Sequence, residues 1–134
     1  MKDLMKTNCY DIKDNIIIVG SCLERVQPKA YKELEKMSKD IFEVCLENTH
    51  VNMVITKLIG MLSRVKVKKL IFATVDKSPH CTQMHYIEHE IVKAMNLDDM
   101  EIVHYVCVNN KLVKISNETI NLSKSLSKIE IMKK

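Results

Sequence analysis

Two short runs, Asn15-Ile16-Ile17-Ile18-Val19-Gly20 and Leu70-Ile71-Phe72-Ala73-Thr74-Val75, constrain the fold of this chain more than any other feature. Neither alternates with polar residues, so each reads as a strand buried on both faces, as in a parallel sheet. Parallel neighbours need crossover connections, and the stretch between the runs supplies helical material. Pro28 suits a first helical position, and apolar residues then recur at Leu34, Met37, Ile41, Val44, Val51, Ile55, Leu58 and Leu62. That is helical spacing throughout. Thirty-odd residues in one helix would span about 50 Å, too long for so small a domain, so two helices are expected. The break falls in the polar stretch Glu47-Asn48-Thr49-His50-Val51-Asn52, with Asn48 or Thr49 as the second cap.

After the second strand, Ser78 and Pro79 form an N-cap and first-turn pair for a helix running to about Met95. Residues Glu101 to Val108 and Lys111 to Ile115 flank Asn109-Asn110, the signature of a two-residue hairpin turn. Asn117-Glu118 opens a short C-terminal helix, and Tyr10 to Asp14 is read as an edge strand or hairpin arm. The order of elements predicts a single α/β domain over residues 1–134. Its expected form is a small three-layer sandwich: a mainly parallel sheet, helices on both faces and a C-terminal β-hairpin.

Composition narrows the function classes. The net charge of +4 is spread among acidic residues except at Lys66-Val67-Lys68-Lys69 and Lys133-Lys134, too little for a nucleic-acid footprint. No segment approaches a membrane-spanning length and Met1 to Tyr10 lacks the apolar core of a signal peptide, which predicts a cytoplasmic protein. Five cysteines without paired spacing then argue for reduced thiols or metal ligands over a disulfide framework. A homo-oligomer is compatible with the sequence.

Ligands of open α/β sheets bind beyond the carboxyl ends of the strands, here Gly20 to Gln27 and Asp76 to Cys81. A helix between the kink and the short Arg64 to Lys69 connection runs down the sheet for roughly 22 Å, about a strand's length, so the kink sits level with those ends. The candidate constellation is therefore Cys22, Cys45, His50, Asp76, His80 and Cys81. Cys81, at the third position of its helix, faces backbone N–H groups and the positive helix end, which makes a cysteine a better nucleophile or metal ligand than one in a core. Three thiols with imidazoles suit zinc or an iron-sulfur centre, whereas magnesium and calcium prefer oxygen. Cys45 also fits a packing role on the apolar stripe, and His85 and His89 read as solvated residues flanking the stripe Met84, Ile87, Ile91 and Met95. Cys9, Cys107 and His104 are assigned to structure.

The element Cys22-Leu23-Glu24-Arg25-Val26-Gln27-Pro28 after a strand resembles the Cys-x-x-Arg-Val-x-Pro element of the small iron-sulfur delta subunit of viologen-reducing hydrogenases that serve heterodisulfide reductase. Ser78-Pro79-His80-Cys81 is similar to that family's second cysteine turn. The resemblance implies a cytosolic redox subunit that holds an iron-sulfur cluster and meets a redox partner protein. Only Cys22 and Cys81 carry over, since Thr74 and Asp76 stand where the family has a further cysteine.

The function expected from the sequence is a metal- or iron-sulfur-binding redox accessory protein with a Cys/His site at the carboxyl edge of the sheet. Two alternatives remain open at this point. One is a thiol-dependent enzyme with Cys81 as nucleophile and His80 or His50 as base. The other is a subunit without chemistry that uses its methionines to meet a partner.

Overall fold

The computed structural model describes residues 2–134. Its centre is a six-stranded sheet in the order β1-β3-β2-β4-β5-β6. The strands are β1 (Lys2–Asp3), β2 (Ile16–Gly20), β3 (Asp40–Val44), β4 (Lys69–Val75), β5 (Glu101–Val108) and β6 (Lys111–Ile115). All pairings are parallel except the final hairpin, β5 with β6. The helices are α1 (Leu23–Val26), α2 (Pro28–Glu35), α3 (Val51–Leu62), α4 (Pro79–Ala94), α5 (Asn117–Ser123) and α6 (Leu126–Met132). The expected α/β architecture with its C-terminal hairpin is therefore what the chain adopts.

Alternation along the strands builds two cores. Ile16, Ile18, Phe42, Val44, Leu70 and Phe72 face α3 and α4, whereas Ile17, Val19, Ile41, Ile71 and Ala73 face α1 and α2. The crossover from β2 to β3 uses one face and those from β3 to β4 and from β4 to β5 use the other. The chain thus turns left from β2 and later right from β4, and the loops beyond these two neighbouring strands diverge. A crevice opens there, the switch point of an open parallel sheet.

Two expectations fail. Residues 40–44 are a strand and not the end of a long helix. The chain leaves α2 after Glu35, and Ser38 stops it from winding on by donating to the Asn15 carbonyl while accepting from the Asp40 amide at 3.0 Å. The buried Asp40 carboxylate then takes the Lys13 and Asp14 amides at 2.8 and 2.6 Å and the Lys2 ammonium at 3.3 Å, which pins β3 beside β2. Leu34, Met37, Ile41 and Val44 follow a helical period by coincidence, and Met37 is exposed. The edge strand is Lys2–Asp3, and Cys9–Asp11 forms a 3₁₀ turn in place of the expected arm at Tyr10 to Asp14.

The local signals hold elsewhere. Ser78 Oγ accepts from the Cys81 amide at 3.4 Å and Pro79 opens α4. Asn109 and Asn110 both have positive φ, 52° and 59°, the paired left-handed conformation that a two-residue hairpin turn requires. The hairpin tip is tied down, since the Asn110 amide donates to Gln27 Oε1 at 2.6 Å.

Candidate functional site

A pocket of about 350 Å³ lies over the carboxyl ends of β2 and β3 and against the start of α4. Its wall carries Cys22, Cys45 and Cys81, the thioether of Met84, and at its mouth Arg25, Glu47 and His80. Each arrives by a different route. Cys22 lies two residues beyond β2, Cys45 directly follows β3, and Cys81 sits in the first turn of α4. Gly20 makes room for this arrangement: a Cβ there would stand 3.1 Å from the Cys81 sulfur, tighter than ordinary contact. The absent side chain lets that thiol rest over the end of β2.

Cys22 and Cys81 are electrostatic neighbours. Burial pushes the Cys22 thiol up from its ordinary value, and the adjoining Cys81 thiol adds to the rise. Burial likewise raises Cys107 to about 11, with Cys81 contributing. Cys81 thus stands between a pocket thiol and a core thiol. The Cys22 thiol therefore holds its proton, which a bound metal would have to displace. The imidazole at the mouth is engaged too, with His80 Nε2 3.6 Å from Glu47 Oε1 in an exposed pair.

Of the residues singled out from the sequence, Cys22, Cys45, His80 and Cys81 line one pocket. His50 does not join them. It is exposed at the N-cap of α3, makes no side-chain capping bond and is not in the pocket wall. Asp76 lines a separate cavity beside α5. Among the described residues no three His, Cys, Asp or Glu side chains are already gathered as a metal-binding group.

The sequence reading of His85 fails. It is buried, in a chain of hydrogen bonds that runs between α4 and the sheet. Thr74 Oγ1 lies 2.7 Å from His85 Nε2, His85 Nδ1 2.8 Å from His104 Nδ1, and His104 Nε2 2.8 Å from Glu88 Oε1. One assignment satisfies every atom: the Thr74 hydroxyl donates to His85, His85 Nδ1–H to His104, and His104 Nε2–H to the Glu88 carboxylate. Burial, with His104 alongside, pushes the His85 pKa down to about 3. The signal available in sequence was Cys81, Met84, His85 and Glu88 at i, i+3, i+4 and i+7, a buried face wider than the apolar stripe alone. His89 is half-buried and accepts from the Lys124 ammonium at 2.6 Å.

A family model for the Rossmann-like domain matches residues 12–134, and the chain belongs to that family. Comparison with curated proteins and with solved structures gave no match. The family description carries no metal or cluster, so the likeness to the hydrogenase delta subunit rests on the two short cysteine elements alone. Folds of this kind commonly cradle a dinucleotide pyrophosphate on a G-x-G-x-x-G turn after the first core strand. Here that turn reads Gly20-Ser21-Cys22-Leu23-Glu24-Arg25. Cys22 and Arg25 occupy the places of the second and third glycines, which exist to let a pyrophosphate and a helix approach the backbone. These residues do not fit that cofactor. No described helix is long and apolar enough to cross a membrane.

Proposed function

We propose that this protein is a redox accessory protein whose working centre is a thiolate-bound metal held by Cys22 and Cys81, with Cys45 as the third thiol of the same pocket. The observation that carries the reading is the convergence of these three cysteines, from three separate crossovers, at the switch point of the sheet. Packing does not require it. Cys22 and Cys45 are only half-buried, and both open into a pocket where a fold of this type binds ligands.

An iron-sulfur cluster or a zinc ion is the centre the sequence suggests. Each takes four ligands, and the pocket offers three thiols and His80. A redox partner protein docking over the mouth would shield the centre and could complete its coordination. The thiol-enzyme alternative, with Cys81 as nucleophile and His80 beside Glu47 as base, is weaker because three cysteines converge where one nucleophile would suffice.

The test is an absorbance spectrum and metal analysis of anaerobically purified protein. Colour with iron and sulfide identifies a cluster, and stoichiometric zinc without colour identifies a mononuclear site. A metal-free protein that resists reconstitution and carries one reactive thiol replaces the reading with the enzyme.

A further inference from the structure

The pocket wall contains more than cysteine. Met84 lies one turn along α4 from Cys81 and is buried, yet it lines the same space as the three thiols. The wall therefore carries four sulfur side chains, three cysteines and one methionine. The other donor side chains of the lining are Ser21, Ser78, whose Oγ caps α4, and Glu47 and His80, which pair with each other at the mouth. The sulfur set is soft, and soft thiolate and thioether ligands select copper(I), zinc and iron-sulfur centres over magnesium, calcium and manganese. The thioether narrows the choice. Zinc and iron-sulfur centres take thiolate, imidazole or carboxylate ligands, and a thioether is not among them. Copper(I), a closed-shell d¹⁰ ion, is satisfied by two thiolates in line or by three sulfurs in a plane.

Resting on the thiolate-metal reading above, we infer that the ion this pocket takes is copper(I), bound between Cys22 and Cys81 with Cys45 or Met84 as a third sulfur. Binding balances without electron transfer. Copper arrives already monovalent, and as its bonds to the thiol or chelate donor break, S–Cu bonds to Cys22 and Cys81 form and two S–H protons leave to solvent; Met84 adds a third bond with no proton, and Cys45 a third bond with a third proton released. The resulting bis-thiolate complex carries one negative charge, and the Arg25 guanidinium at the pocket lies near enough to act on Cys22. A thioether adds a ligand without adding charge, which suits a residue as buried as Met84.

The experiment titrates the reduced, full-length chain anaerobically with a copper(I)–bicinchoninate complex, and in parallel with zinc(II) and with iron(II) plus sulfide. The account predicts that one equivalent of copper(I) is withdrawn from the chelate, with ultraviolet sulfur-to-copper bands and an X-ray absorption spectrum showing two or three sulfur neighbours. Cys22→Ser and Cys81→Ser should each weaken capture at least a hundredfold. Met84→Leu, which preserves core volume, should weaken it several-fold or leave it unchanged according to whether Cys45 is the third ligand. Cys9→Ser and Cys107→Ser should leave capture intact. Circular dichroism of each variant separates lost binding from lost folding. Tight stoichiometric zinc, or a stable iron-sulfur chromophore, with copper(I) left on the chelate overturns the copper inference and keeps the thiolate-metal reading. Failure of all three metals overturns both. Copper capture undiminished by Cys22→Ser and Cys81→Ser assigns it to scattered thiols and also overturns the inference.

Discussion

Helix α4 carries two polar clusters one turn apart, and they are built on opposite principles. At its start, Cys81 joins Cys22 and Cys45 around an open pocket. One turn on, His85 and Glu88 join Thr74 and His104 in a buried chain in which each link is 2.7–2.8 Å long. No buried side-chain nitrogen or oxygen among the described residues lacks a partner. The closed cluster has spent its hydrogen-bonding capacity on the fold, and Phe72 stacks on His104 at 5.1 Å to hold it in place. The thiol cluster has donors left over. A site is recognised here by unused chemistry at an accessible edge, and titratable residues in close contact are not enough to mark one.

The comparison breaks first under acid. His85 is pushed down from 6.5 to about 3, so between those values the unfolded chain binds a proton that the native chain does not. Its contribution is complete above about 6.5 and is lost as pH falls through that window, on the order of several kcal/mol. Imidazole resonances followed by NMR should show His85 silent well below pH 5. A His85 that titrates near 6.5 while the protein stays folded would mean the chain of bonds is open.

Glu88→Ala comes next. It strands the His104 N–H in the core and leaves a cavity, and should cost about 2–4 kcal/mol in denaturant unfolding while leaving metal capture by the thiols unchanged. A loss under about 0.5 kcal/mol would deny the cluster its structural role. On the other side of the comparison, Gly20→Ala should cost about 1–2 kcal/mol and disturb metal binding, because the new methyl meets the Cys81 sulfur at 3.1 Å. Equal metal affinity in Gly20→Ala would show that the sulfur's position does not matter. The smallest effect belongs to His50→Ala, within about 0.5 kcal/mol and with no change in metal content, since the side chain is exposed and caps nothing.

What the sequence made legible was local chemistry. Ser78-Pro79 and Asn109-Asn110 carry their conformations in one or two residues, and the runs at 15–20 and 70–75 announce burial on both sides. Strand β3 stayed hidden because Ile41 and Val44 extend the period set by Leu34 and Met37, and only the pairing of Asp40 with the chain before β2 shows the break. Cys45 reached the pocket by a route other than the one inferred. The helical period puts it at the end of a helix, whereas it arrives at the end of a parallel strand, and either path leads to the carboxyl edge. His50 fails for the same reason, because its height on the sheet followed from the helix but its direction did not. The chain Thr74–His85–His104–Glu88 spans three elements, and no spacing in sequence announces it.

The most direct test of the account is the metal-to-protein ratio of anaerobically purified wild-type chain set beside the Cys22→Ser, Cys81→Ser and Glu88→Gln variants. The account predicts a full complement, one ion or one cluster per chain, for the wild type and for Glu88→Gln, and near zero for both serine variants, each still folded by circular dichroism. A wild type without metal that cannot be reconstituted, or serine variants that retain a full complement, would contradict the assignment of Cys22 and Cys81 as the working centre.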